Sequence, residues 1–226
     1  RYYKHFLQSG LMAMEPQTGN VKAWVGGINY KYFQYDHVGQ GARQVGSTFK
    51  PFVYATAIEQ LNMSPCDSII DGPFMIRKGR HHVTEDWEPK NSDNKYRGMV
   101  TLKRGLANSI NTISAKLIDK VGPEAVIDLT HKLGVKSEIV NQPSIALGAV
   151  EITVEDMVAA YSTFANHGVW TEPFFIERIE DRNGNVLQQF TPRTVEALNE
   201  ESAYLMLHML RGATEEKGGT ALGLNR

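Results

Sequence analysis

Ser47 and Lys50 stand three residues apart in the stretch Arg43-Gln44-Val45-Gly46-Ser47-Thr48-Phe49-Lys50-Pro51-Phe52. Residues at i and i+3 share a helix face, with Cβ atoms about 5–6 Å apart, so a Lys50 ammonium can reach the Ser47 hydroxyl. A serine hydroxyl is a weak nucleophile at its ordinary pKa and needs a neighbouring base. Lysine becomes that base when burial or a positive field lowers its own pKa. A helix N-terminus supplies such a field, and its free N–H groups favour a developing oxyanion. Pro51 fixes the register, because only the first turn of a helix tolerates a missing N–H. The helix therefore begins within about four residues before Pro51, with Ser47 at its mouth. Gly46 leaves room for close backbone approach to a ligand. An S-x-x-K pair also arises by chance on solvated helix faces, so it needs company. Ser109-Ile110-Asn111 offers it. Spaced two apart, serine and asparagine cannot share a helix face, but on a turn both can point into one cleft.

The elements that hold these residues follow from periodicity and turn chemistry. Leu11 to Gly27 reads as a strand hairpin, turning at Pro16-Gln17-Thr18-Gly19-Asn20. Tyr30, Tyr32, Phe33 and Tyr35 read as aromatics covering the edge of a core. Phe52, Tyr54-Ala55, Ala57-Ile58 and Leu61 recur at helical spacing, so the Ser47 helix continues from Phe49 to Leu61 and is buried on most sides. Ser64 to Gly98 reads as a loop-rich excursion with a few short strands. His81-His82 with Glu85-Asp86 is not read as a metal site, because adjacent histidines in a strand point to opposite faces. Thr101 caps a helix that carries Leu102, Leu106 and Ile110 on one face and ends at Ser109-Ile110-Asn111. Two further helices run from Ile113 to Val121 and from Pro123 to Leu133, with Gly134 beyond the second. Thr153 to His167 is a helix capped by Thr153 and stopped by Gly168. Pro173 to Gln189 is a hairpin turning at Arg182-Asn183-Gly184-Asn185. Glu200 to Arg211 is a last helix. Strands near both ends and helices between them predict an α/β chain of the α+β type, with an antiparallel sheet flanked by helices.

Composition narrows the function classes. The 226 residues suffice for one well-buried domain. A formal net charge of −1, with lysines and arginines scattered, gives no basic field for nucleic acid. No apolar run approaches the ~18 residues that span a bilayer. Arg1-Tyr2-Tyr3-Lys4-His5 has no apolar core behind it and reads as a cut inside a longer protein. Cys66 is the single cysteine, permits no internal disulfide, and reads as a small buried or half-buried residue.

S-x-x-K followed by S-x-N in this order resembles the first two motifs of penicillin-binding proteins and serine β-lactamases. The resemblance extends well past them. RQVGSTFKPFVYATAIE and EPQTGNVKAWVGG are similar to the active-site region of the class A, bifunctional penicillin-binding proteins. WEPKNSDNKYRGMVTLKRGLANSINT resembles the family's approach to its second motif, and LTHKLGV, PSIALGAVEITVEDMVAAYSTFANHG and EPFFIERIEDRNGNVL its downstream stretch. The family's third motif, K-T-G or a close variant, does not occur in residues 1–226, and Lys217-Gly218-Gly219 is not one. GATEEKGGTALGLNR resembles the glycine-rich turn before that strand. The resemblance thus implies one transpeptidase domain over 1–226 that stops short of its inner sheet strands. Either the chain was cut there, or the rest lies on another chain or is disordered. A glycosyltransferase domain is implied upstream of Arg1.

The resemblance also implies a fold and a chemistry. The fold is the transpeptidase fold shared by penicillin-binding proteins and serine β-lactamases. Ser47 is the nucleophile toward the D-alanyl-D-alanine bond of peptidoglycan stem peptides, Lys50 its base, and Ser109 a proton relay to the leaving amine. Asn111 binds the substrate amide and holds Lys50. Trp87, Asn91 and Tyr96 lie where the family wraps a segment toward its site and are expected to touch substrate. β-Lactams acylate the same serine, and no metal or organic cofactor is needed. The implied setting is the bacterial cell envelope, at the outer face of the cytoplasmic membrane. The anchor lies outside this chain, and the partners are other cell-wall synthesis proteins. The rivals are a serine β-lactamase, for which no deacylating base is evident, and a non-catalytic penicillin sensor. Glu151 and Glu155 sit in a region that resembles the transpeptidases.

Overall fold

Leu11–Met14 (β1) and Val21–Val25 (β2) pair antiparallel, with Leu11 opposite Val25, and form the expected hairpin. They open a computed structural model that describes residues 7–225. The Arg1–His5 stretch and Arg226 lie outside the described residues. The remaining strands are also short. Arg43–Gln44 (β3) pairs with Glu151–Ile152 (β6), and Ser68–Asp71 (β4) with Gly98–Thr101 (β5). Val169–Thr171 (β7) pairs with Thr194–Glu196 (β10). Arg178–Glu180 (β8) pairs with Val186–Gln189 (β9) across the predicted Asn183-Gly184 turn. The chain is mixed α/β with antiparallel pairing, as expected, but the sheet is not continuous. Among the described residues it is divided into five two-stranded ladders. Each strand is two to five residues long, and helices pack on β1, β4, β5 and β7, while the β8–β9 ladder is exposed.

The helices carry the core. Lys50–Leu61 (α1) is buried at every residue from Lys50 to Ile58. It is apolar nearly all round, which suits a helix enclosed by others rather than an amphipathic surface helix. Its neighbours are α2 (Leu102–Ala107), α3 (Asn111–Val121), α4 (Pro123–Lys132) and α6 (Glu200–Glu215). Pro51 sits in the first turn of α1, where its missing N–H costs nothing, and left-handed Asn62 ends the helix. Phe52 packs edge-on against Phe49 and Tyr161 and stacks on Phe164, which ties α1 to α5 (Val154–Ala165). Thr153 caps α5 by accepting from the Asp156 N–H. That helix ends two residues before His167, and Gly168 follows in the left-handed region.

Several expectations are corrected. The last helix runs on to Glu215, because Gly212 packs its bare backbone face close to Ala107 on α2 and does not stop the helix. His81 and His82 lie in a 3-10 turn, Arg80–His82, both at positive φ, and not in a strand. His81 bonds Asp119, which Arg80 also grips. Cys66 is exposed, in a turn closed by the Asp67 N–H on the Ser64 carbonyl. Tyr30 and Tyr32 do not cover a core edge, since they are 76% and 74% exposed. Phe33 stacks on His37 instead. No helix among the described residues is long and apolar enough to cross a membrane.

Candidate active site

Ser47 lies in a 3-10 turn, Gly46–Phe49, that runs straight into α1. The tight turn explains how i and i+3 spacing survives before the α-helix begins. Gly46 adopts φ +55°, a conformation that L side chains rarely take. Its N–H donates to the Gly148 carbonyl at 3.2 Å, and the Val45 N–H donates to Val150 at 3.0 Å. The residues just after the turn Pro143–Leu147 thereby clamp the Ser47 segment. Gly148 is the residue this clamp requires, because a Cβ there would run into the Gly46 carbonyl. The glycine whose missing Cβ permits this close approach is Gly148 rather than Gly46, where a Cβ would meet nothing within 4 Å. From the other side the Tyr161 hydroxyl donates to the Thr48 carbonyl at 2.7 Å. Burial pushes the Tyr161 phenol well above its ordinary pKa and keeps it a donor. The Ser47 side chain is exposed, and neither its hydroxyl nor its N–H is hydrogen-bonded among the described residues.

Lys50, the first residue of α1, is 1% exposed. Its Nζ donates to the Ser109 carbonyl at 2.7 Å, the Ser109 hydroxyl at 2.9 Å and Asn111 Oδ1 at 2.7 Å. Those three acceptors use all three ammonium protons. The Ser47 hydroxyl, expected within its reach, receives none of them. Burial lowers the Lys50 pKa to about 8.

Ser109 and Asn111 meet Lys50 because the chain breaks between two helices. Ser109 does not sit at the end of the Thr101-capped helix, as expected, since α2 stops at Ala107. Ser109 turns the backbone through φ +53° and points both its carbonyl and its hydroxyl at Lys50. Ile110 is extended, and Asn111 opens α3 two residues earlier than predicted. Asn111 Nδ2 donates to the Lys90 carbonyl at 2.8 Å, which orients its Oδ1 toward Lys50.

The three residues expected to touch substrate fare differently. Asn91 is 5% exposed and makes four side-chain hydrogen bonds inside the protein, which leaves none for a ligand. Trp87 is half-buried and bridges Ile76 through paired backbone hydrogen bonds. Tyr96 is 43% exposed. Among the described residues no hydrogen bond or ring contact joins Trp87 or Tyr96 to Ser47, Lys50, Ser109 or Asn111. Sequence reasoning missed Gly148, Tyr161, Asp71 and Thr112. Only the last two left a signal, as polar residues beside strongly apolar positions. A groove of about 1240 Å³ borders the Val45–Thr48 side of the turn but is not lined by Ser47, Lys50, Ser109 or Asn111. No cluster of three or more metal-ligating side chains occurs among the described residues.

Comparison with known proteins gives a consistent likeness. The family model described as the penicillin binding protein transpeptidase domain matches residues 10–225. Penicillin-binding protein 1A of Aquifex aeolicus is 39% identical over 217 residues, covering 95% of this chain and 29% of the relative. The Rickettsia felis protein of the same name is 34% identical over 210 residues, covering 93% and 26%. This chain therefore spans less than a third of the length of these relatives. The crystal structure of penicillin-binding protein 1A from Haemophilus influenzae superposes with a TM-score of 0.86 at 27% identity, covering 96% of this chain and 37% of that one. PonA1 from Mycobacterium tuberculosis, solved with penicillin V, shares the fold with a TM-score of 0.76 at 23% identity, covering 92% and 57%.

Proposed function

Because this chain belongs to the penicillin-binding protein transpeptidase family, we propose that it carries the acyl-transfer site of a D,D-transpeptidase that cross-links peptidoglycan stem peptides and is blocked by β-lactams. The observation that carries this reading is the three-bond seat of Lys50 on Ser109 and Asn111, one turn from an unpaired Ser47. When Lys50 gives up a proton, its lone pair is free for the Ser47 hydroxyl. Ser47 Oγ then attacks the carbonyl between the terminal D-alanines, and Lys50 takes the hydroxyl proton. The free Ser47 N–H is one donor for the oxyanion, and a K-T-G strand from outside residues 1–226 is the source of the other. Ser109 relays the proton from Lys50 to the departing D-alanine nitrogen as the C–N bond breaks. Asn111 Nδ2 keeps a second N–H, beyond the one on Lys90, for the substrate amide. An amine from a neighbouring stem peptide then takes the acyl group and frees Ser47.

The same reading sets the protein in the bacterial envelope, with its glycosyltransferase domain and membrane anchor outside these residues. The relatives' greater length supports it. A serine β-lactamase is the second reading. Fast deacylation needs a base beside the acyl-enzyme, and among the described residues no carboxylate hydrogen-bonds Ser47, Lys50, Ser109 or Asn111. Intact-mass spectrometry after incubation with a penicillin tests the proposal on the full-length protein. We expect a long-lived adduct that Ser47→Ala abolishes. No adduct, or one that survives in Ser47→Ala, overturns the assignment, and rapid turnover of the adduct favours the β-lactamase.

A further inference from the structure

Behind the Lys50 seat lies a buried polar cluster for which the proposed reaction has no use. Asn91 Oδ1 accepts the backbone N–H groups of Asn111 at 3.0 Å and Thr112 at 3.2 Å. These are the first free N–H groups of α3, and the residue at its cap position, Ile110, has no side-chain acceptor for them. Asn91 therefore caps α3 from a loop twenty residues upstream. Its Nδ2 donates to Asp71 Oδ1 at 2.8 Å and to the Lys95 carbonyl at 2.8 Å. Asp71 is 1% exposed. Its Oδ1 also accepts the Thr112 hydroxyl at 2.6 Å, and its Oδ2 the Arg97 N–H at 3.0 Å. The Lys90 carbonyl, next to Asn91 in the chain, orients the Asn111 amide. The cluster is thus continuous from Asp71 on β4, through Asn91, to the N-terminus of α3 and the acceptor that holds Lys50.

We propose that Asn91, locked by Asp71 and Thr112, is a positioning residue for catalysis: it fixes the start of α3 so that Asn111 Oδ1 meets Lys50, and it does not touch substrate. The inference rests on the acyl-transfer reading of this site. Two features favour a positioning role over plain core packing. Every hydrogen-bonding site of the Asn91 amide is used in one orientation, so its oxygen and nitrogen cannot exchange without breaking bonds at both ends. Asn91 and its neighbour Lys90 are also the only described residues that bond the backbone N–H and the Nδ2 of Asn111.

The test measures penicillin acylation of the full-length protein between pH 6 and pH 9. It resolves the acylation rate constant and the dissociation constant of the non-covalent complex, and it records melting temperature alongside. Asn91→Ala should lower the acylation rate constant by about 10–100-fold with little change in binding, because small displacements of catalytic groups cost that much. Asn91→Asp keeps an acceptor for α3 but puts a second carboxyl against Asp71. In that variant one shared proton restores the donor, since two carboxylates in contact do not both ionise readily. Its rate relative to wild type should therefore be highest at low pH and fall as pH rises. The other charged groups facing the pair are Arg97 on Asp71, Asp93 on Arg97, and Lys116, which bonds the Ile70 carbonyl. If folded Asn91→Ala keeps the wild-type acylation rate, or loses binding instead, the inference is overturned. If Asn91→Ala does not fold, Asn91→Asp decides, and a pH-independent ratio overturns it. A wild type that forms no adduct sinks the acyl-transfer reading as well. A wild type acylated at Ser47 whose variants match it sinks this inference alone.

Discussion

Lys50 shows most directly how its surroundings set its chemistry. Its pKa, lowered by burial to about 8, lies below the ~10.4 of a free lysine. The neutral amine that the proposed mechanism calls for as base is thus accessible near neutral pH. Acylation of the full-length protein should rise with pH and level off above about 8, and Lys50→Met should remove the rising limb together with most of the rate. Linkage has the matching sign. Between about pH 8 and ~10.4 the folded chain binds fewer protons at Lys50 than the unfolded one, so stability rises with pH through that window. Ser109 makes a second case. Its left-handed backbone costs on the order of 1–2 kcal/mol for a residue with a Cβ, partly offset in glycine by chain entropy. Ser109→Gly relieves this backbone but also removes the hydroxyl that accepts from Lys50, so the melting temperature should change little while acylation falls by at least 10-fold. A large loss of stability would count against the strain argument.

The helices and turns decide how firmly these side chains are held. The turn that carries Ser47 leaves that residue exposed. It is held by Gly148 and Val150 on one side and the Tyr161 hydroxyl on the other. Gly148→Ala meets both a φ of +77° and a collision with the Gly46 carbonyl, so the clamp has to shift. We expect a melting-temperature drop and a fall in acylation larger than the fraction unfolded explains. Tyr161→Phe keeps the ring contacts with Phe52 and Phe164 and removes only the donor. It should cost about 1 kcal/mol of stability, the usual net value of one hydrogen bond. Helix α1 itself was legible from its apolar spacing and from Pro51, because both act within one turn. A break between α2 and α3 was legible, but its position was not. It is set by left-handed Ser109 and by a cap from Asn91, twenty residues upstream.

Across the molecule the five ladders and the helical core bring Lys50, Ser109 and Asn111 together beside Ser47, while the K-T-G triplet that the proposed mechanism calls for does not occur within residues 1–226. Removing one oxyanion donor typically costs about 10²–10³ in rate. The 226-residue chain tested alone should therefore be acylated at least 100-fold more slowly than a polypeptide extended to include that triplet, as measured by labelled-penicillin kinetics. Equal rates would show that residues 1–226 assemble the oxyanion site unaided.

Local sequence was enough for the order of the motifs, the central helix, both hairpins and the capped helix after Thr153. Each rests on spacing, proline or glycine chemistry, or a capping side chain, and these forces act over a few residues. The partition of the strands into separate ladders, the exposure of the Tyr30–Tyr35 aromatics and the length of α6 came from packing between distant segments. So did the direction of the Lys50 side chain. Spacing pointed it at Ser47, yet the folded chain supplies three acceptors from residues about sixty positions away. Burial, which lowers its pKa, is likewise a property of the assembled core. Asn91 moved from an expected substrate contact to the support of α3 for the same reason: which groups a buried amide bonds is settled only when remote backbone closes around it.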